Sequence, residues 1–200
     1  GVQTSELDQI AEKMILALGA QPAFKGFKNY PFTTCISVNE ELVHGLPSNR
    51  VIRSGDIVGI DVGVRYQGYC TDAAKTIIAG EATAEVKKIV EVAELSLKKA
   101  INLSKPGVRI QTIQKEIQET IENSGFGVVR ALTGHGIGKI LQEDPMIANY
   151  VRKDYDFVLK PGMTFTYEPM LTMGDWSVKT LDDGWTVISS DKSLTAHFEH

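Results

Sequence analysis

The chain has 200 residues, 42% of them hydrophobic and 23% charged, an ordinary globular composition long enough for one sizeable core. With 21 basic against 25 acidic side chains and a formal net charge of −4, it has no basic field to attract phosphates, so neither nucleic acid nor an anionic membrane is expected as its main partner. No apolar run approaches the roughly 18 residues of a membrane span, and two cysteines, Cys35 and Cys70, are too few for a disulfide scaffold and fit a reducing, cytoplasmic setting. In chain order, the first predicted element is a helix over 5–18, where Leu7, Ile10, Ala11, Met14, Ile15 and Leu18 share one face, Ser5 caps the start and Gly19 the end. Strands are expected near 32–38, 56–64 and 69–78. Two helices follow, with stripes Val86-Ile89-Val90-Ala93-Leu97-Ile101 and Ile110-Ile113-Ile117-Ile121, broken by Lys105-Pro106-Gly107 and closed at Gly125. Further strands are expected near 127–132, 163–171, 176–180, 185–189 and 194–199. Hairpins mixed with a few helices, without regular alternation, predict an α+β fold in one domain over 1–200.

The apolar strand Ile57 to Val64 carries a carboxylate, Asp61, in its middle. A hairpin turning at Tyr66-Gln67-Gly68, centred between Tyr66 and Gln67, sets Asp72 directly opposite Asp61. Facing carboxylates would lie roughly 5 Å apart at Cβ and destabilise the pair, so a proton or a cation must sit between them. Two hard oxygen donors at that separation suit Mn²⁺, Fe²⁺, Co²⁺ or Mg²⁺. A turn offset by one residue would instead point one aspartate to water.

Three more candidates come later in the chain. His135 stands in Thr133-Gly134-His135-Gly136-Ile137-Gly138, where glycines let backbone approach and leave the imidazole free to ligate. Glu168 lies in the expected strand ending Tyr167-Glu168-Pro169-Met170, on one face with Thr164 and Thr166, with Pro169 marking a lapse in pairing. Glu199, in Thr195-Ala196-His197-Phe198-Glu199, is penultimate, and on local grounds could be a frayed terminal acid.

The order Asp61, Asp72, His135, Glu168, Glu199, with Ser37-Val38-Asn39-Glu40, Val43-His44-Gly45, Glu168-Pro169-Met170 and Asp183-Gly184-Trp185-Thr186-Val187, resembles the methionine aminopeptidases of type I over essentially the whole chain. The resemblance implies the pita-bread fold, an antiparallel sheet with helices on its outer face and two pseudo-twofold halves. It implies two divalent metal ions, cobalt, manganese, iron or zinc, with Asp72 and Glu199 bridging them, Asp61 on one ion, and His135 and Glu168 on the other. The ions would activate a shared water and polarise the scissile carbonyl, the free α-amino group of the substrate would bind one of them, and Glu168 would carry a proton to the leaving amine. His44 would hydrogen-bond the substrate amide, and Phe24, Phe27, Tyr30, Cys35, Leu141 and Trp185 would form an apolar pocket for a thioether. The implied partner is the N-terminal methionine of nascent polypeptides near the ribosome, met by a monomer.

Two departures from the family pattern stand out. Type I enzymes place a second histidine seven residues after the Gly-His-Gly histidine, and this chain has Gln142 there. Gln142 can donate a hydrogen bond in the same catalytic place but carries no charge, which predicts a slow enzyme. The family pattern also extends beyond both ends, so a trimmed chain with a poorly held Glu199 is expected. The competing expectations are an Xaa-Pro aminopeptidase or dipeptidase of the same fold and a homologue that binds without cleaving.

Overall fold

The computed structural model describes residues 1–200. The chain begins with helix α1 (Thr4–Ala17) and a short strand β1 (Gln21–Pro22), then β2 (Thr34–Val38), β3 (Glu41–Val43) and the long hairpin β4 (Ile57–Tyr66) and β5 (Tyr69–Ile78). Helices α2 (Ala84–Leu103) and α3 (Ile110–Glu122) follow, then β6 (Gly127–Val128), β7 (Thr133–Gly136), β8 (Glu143–Ala148), β9 (Met170–Thr172), β10 (Val178–Thr180), β11 (Val187–Ser189) and β12 (Thr195–His197). No helix is long and apolar enough to cross a membrane.

Every strand pairing is antiparallel: β4 pairs β1, β2 and β5, β11 joins β10 to β3, β9 joins β12 to β6, and β7 pairs β8. Two helices back the second half. All four isoleucines of α3, at 110, 113, 117 and 121, are fully buried, and with Ile89, Ala93 and Leu97 of α2 they pack on Val128, Leu171, Ala196 and Phe198 from the sheet behind. Burying each such side chain contributes about 1.5–3 kcal/mol, so this layer is the platform that holds β9 and β12 in place.

Local details differ from the sequence-based expectation. Helix α1 starts one residue early, capped by Gln3, whose N–H donates to the Glu6 carboxylate, rather than by Ser5. The buried stripe of α2 includes Val92, Ser96 and Ala100, while Ile101 is 40% exposed. The segment expected as a strand over 163–171 is regular only at Met170–Thr172, and 143–148 forms a strand that its polar residues Glu143 and Asp144 and its Pro145 concealed.

The hairpin register also needs correction. A two-residue turn at Gln67-Gly68, with φ of 49° and 85°, closes the hairpin, so Tyr66 faces Tyr69, Asp61 faces Ala74 and Asp72 faces Gly63. Left-handed backbone at both turn positions gives the type I′ geometry that matches strand twist, which a centre at Tyr66-Gln67 could not. The slip is by two, and side chains alternate with period two, so Asp61 and Asp72 still share a face as diagonal neighbours.

Candidate metal centre and substrate pocket

Asp61 lies in a row of residues that run across the sheet on one face. Its Cα partners are Cys35 of β2 and Ala74 of β5, and Ala74 in turn bridges Glu199 through hydrogen bonds of 2.8 and 3.2 Å. The small side chain of Ala74 leaves room between the two acids, and Asp72, two residues along β5, joins them. Glu199 is only 5% exposed, and His200 exchanges backbone hydrogen bonds with Tyr167 at 3.0 and 3.1 Å. The expectation that Glu199 would be poorly held is therefore wrong: the terminus is laced to β5 on one side and to Tyr167 on the other.

The other half of the site comes from β7 and the irregular segment before β9. A Cβ on Gly134 would run into the Thr166 carbonyl, and one on Gly136 into the Asp144 carbonyl, so these glycines let three backbone segments close around His135. Thr166 accepts from the His135 N–H at 3.1 Å and donates to Glu168 Oε1 at 3.1 Å, aligning one side chain with the other. The imidazole Nδ1 lies 2.9 Å from the Gly136 carbonyl. A carbonyl can only accept, so Nδ1 carries the proton and the Nε2 lone pair is directed elsewhere. It faces Asp72 Oδ2 and Glu168 Oε1, each 3.8 Å away.

Ligand atoms of Asp72, His135 and Glu199 lie within 4.8 Å of one another. Asp61 Oδ1, Asp72 Oδ1 and Glu199 Oε1 are buried without a hydrogen-bond partner, which is costly for acidic oxygens unless a cation meets them. Burial, then the charges of neighbouring acids, drives Asp61, Glu168 and Glu199 well above the usual carboxylate range, and burial pushes Asp72 up to about 7. Burial lowers His135 and, with Lys28, His44. An oxygen-dominated set with one neutral imidazole and orphaned oxygens fits divalent cations.

These acids form one end of a cavity of about 120 Å³ whose other walls are Phe24, Phe27, Tyr30, Cys35, His44, Leu141, Gln142 and Trp185. Tyr30 and Trp185 meet edge-to-face, 5.0 Å between centroids, and the Phe24 ring packs where a side chain on Gly63 would be. His44 follows β3 in left-handed backbone, φ 58°. Each candidate site residue read from the sequence thus borders the same space. Two others were missed. Thr166 was read only as sharing a face with Glu168, and Lys28, which lines the cavity, gave no signal in its loop.

A buried acidic cluster with an imidazole, open to an apolar pocket, is the arrangement of a metal-dependent hydrolase. Residues 1–200 match Metallopeptidase family M24, and the chain belongs to that family. It is 48% identical over 200 residues to methionine aminopeptidase 1 of Bacillus subtilis, covering all of this chain and 81% of that protein, and 44% identical to the methionine aminopeptidase of Clostridium perfringens, covering 80% of it. The methionine aminopeptidase structure from Thermotoga maritima superposes with a TM-score of 0.97 at 46% identity, covering all of this chain and 81% of that one. Prolidase from Pyrococcus furiosus gives 0.77 at 28% identity and 52% coverage of that chain, so the chain shares the pita-bread fold with both groups and is more similar to the methionine aminopeptidases.

Proposed function

We propose that the chain removes N-terminal methionine from polypeptides by metal-dependent hydrolysis, with two divalent ions held by Asp61, Asp72, His135, Glu168 and Glu199. The observation that supports this most is the convergence of those side chains, three with orphaned buried oxygens, on one cavity with an aromatic pocket. Asp72, His135 and Glu199, whose ligand atoms lie within 4.8 Å of one another, would form the centre of that ligand set, with Asp61 and Glu168 beside them. When bound, such ions lower the pKa of a shared water and polarise a carbonyl.

The chain's own residues supply the rest. Phe24, Tyr30, Cys35, Leu141 and Trp185, packed as one apolar cluster with Tyr30 and Trp185 edge-to-face, would enclose an unbranched thioether side chain. Thr166 holds Glu168 so that its carboxyl group can pass a proton to the leaving amine. His44, kept neutral by burial, can donate to or accept from the substrate amide. Gln142 at the rim donates to the carbonyl side of the scissile bond. Two unpaired cysteines, Cys35 and Cys70, agree with nascent chains in a reducing compartment as the substrate source.

Metal analysis combined with release of free methionine from Met-Gly-Met tests the reading. The expected result is about two ions per chain and methionine release lost in Asp72→Asn; cleavage of an Xaa-Pro peptide in preference to Met-Gly-Met would overturn it in favour of the prolidase-like activity.

A further inference from the structure

Lys28 lines the cavity and takes no part in the roles above. It sits in a tight turn in which Gly26, Lys28 and Asn29 all have left-handed backbone, φ 89°, 48° and 69°. That turn aims its side chain over the Phe27 ring, 5.0 Å from Nζ to the centroid, and across the cavity mouth to Gln142 Oε1 at 2.8 Å, a residue 114 positions away. Lys25, three residues earlier, pairs with a carboxylate, Glu12, at 2.6 Å. Lys28 takes a neutral amide instead.

The chemistry of that contact decides the orientation of the amide. An ammonium has only donors, so the end of the carboxamide facing it must be the carbonyl, and the –NH₂ end is left for another acceptor. Gln142 lines the cavity, and its –NH₂ has no partner within the chain. A cation on the carbonyl also polarises the amide and strengthens the opposite N–H groups as donors. Both side chains are exposed at the rim, where such a bond adds little to folding stability, so its effect falls on orientation.

We propose that Lys28 is a positioning residue: its ammonium holds the Gln142 carboxamide with the –NH₂ toward the scissile carbonyl and brings beside it the positive charge that a neutral amide lacks. This rests on the methionine aminopeptidase reading of the site. Without Lys28 the amide rotates freely and presents its oxygen, which repels the negative charge developing on the substrate, for part of the time.

Steady-state kinetics on Met-Gly-Met with the metal-loaded chain test it. Gln142→Ala is expected to lower kcat roughly 10²-fold, as for loss of one oxyanion donor. Lys28→Met should lower kcat roughly tenfold with KM unchanged within about twofold, and Lys28→Arg should restore most of the loss. Because Lys28 acts through Gln142, Lys28→Met/Gln142→Ala should be no slower than Gln142→Ala alone. A Lys28→Met enzyme with normal kcat, or penalties that multiply in the double variant, overturns the proposal. A second readout uses ¹⁵N-labelled, metal-free protein: the Gln142 side-chain –NH₂ resonance, identified by its loss in Gln142→Ala, should move in Lys28→Met and stay in Lys25→Met. An unmoved resonance in Lys28→Met also overturns it. If the wild-type chain releases no methionine, the functional reading fails, and the resonance still decides whether Lys28 fixes the amide.

Discussion

Burial of four acids around one imidazole makes protonation the first property to probe residue by residue. Burial raises Asp72 from an ordinary 3.8 to about 7, and Asp61, Glu168 and Glu199 are raised as well. The folded, metal-free chain therefore holds protons that the unfolded chain has released, so the stability these groups contribute is fullest below about pH 4 and is lost as pH rises, for Asp72 through about 7. Urea unfolding of metal-free protein at about pH 5 and about pH 7.5 should give the lower midpoint at the higher pH. Metal must displace the same protons, so affinity should rise across that window, and a titration showing flat affinity would contradict the ligand assignment. Read alone, the amide at position 142 predicted a slow enzyme, whereas the structure puts the Lys28 ammonium 2.8 Å from its oxygen. An imidazole at that place beside Lys28 would be kept neutral by like-charge repulsion. Gln142→His alone is thus expected to leave turnover of Met-Gly-Met nearly unchanged, and Gln142→His with Lys28→Asn to raise it.

Among the elements, the β4–β5 hairpin and the β7 segment depend on backbone that side chains would obstruct. Gly134→Ala drives a methyl group into the Thr166 carbonyl, which would part His135 from the Thr166–Glu168 hydrogen bond that aligns it. Calorimetric titration with Mn²⁺ should show affinity lowered roughly 10–100-fold, the range for losing an orienting partner, with the circular dichroism spectrum retained. Ile113→Ala in α3 acts differently, removing a fully buried side chain from the platform behind β9 and β12. Its expected effect is about 2–5 kcal/mol of stability in denaturant unfolding, with metal affinity changed less than by Gly134→Ala. Both helical stripes could be read from apolar spacing because a helix repeats its buried face every three or four residues. Glu168 could not be placed in that way: its segment pairs only by isolated contacts such as Gly136 with Phe165, and a β-rich stretch of sequence looks the same whether or not a partner strand lies beside it.

For the molecule as a whole, the site is a clasp between distant parts of the chain, Asp61 and Asp72 from one hairpin, His135 from β7, Glu168 from the irregular segment before β9 and Glu199 from the bridge to Ala74 that follows β12. A ligand that binds only the folded form stabilises it by mass action, so divalent ion at roughly 100 times its Kd should add about 2.7 kcal/mol, and chelation should remove it. Thermal unfolding with Mn²⁺ and with excess EDTA measures this; coincident midpoints would sink the shared-site reading. From the amino-acid order alone came the apolar stripes, the acid in the middle of an apolar strand, the Gly-His-Gly segment and the family resemblance, because each is a matter of residue type and short spacing. The tertiary structure decided the rest: the true hairpin register, which a two-residue left-handed turn sets; the anchoring of Glu199, which needs β5 as a neighbour; and the meeting of Lys28 with Gln142 across the cavity mouth. Those depend on contacts between segments far apart in the chain, and local periodicity carries no record of which distant backbone will lie alongside.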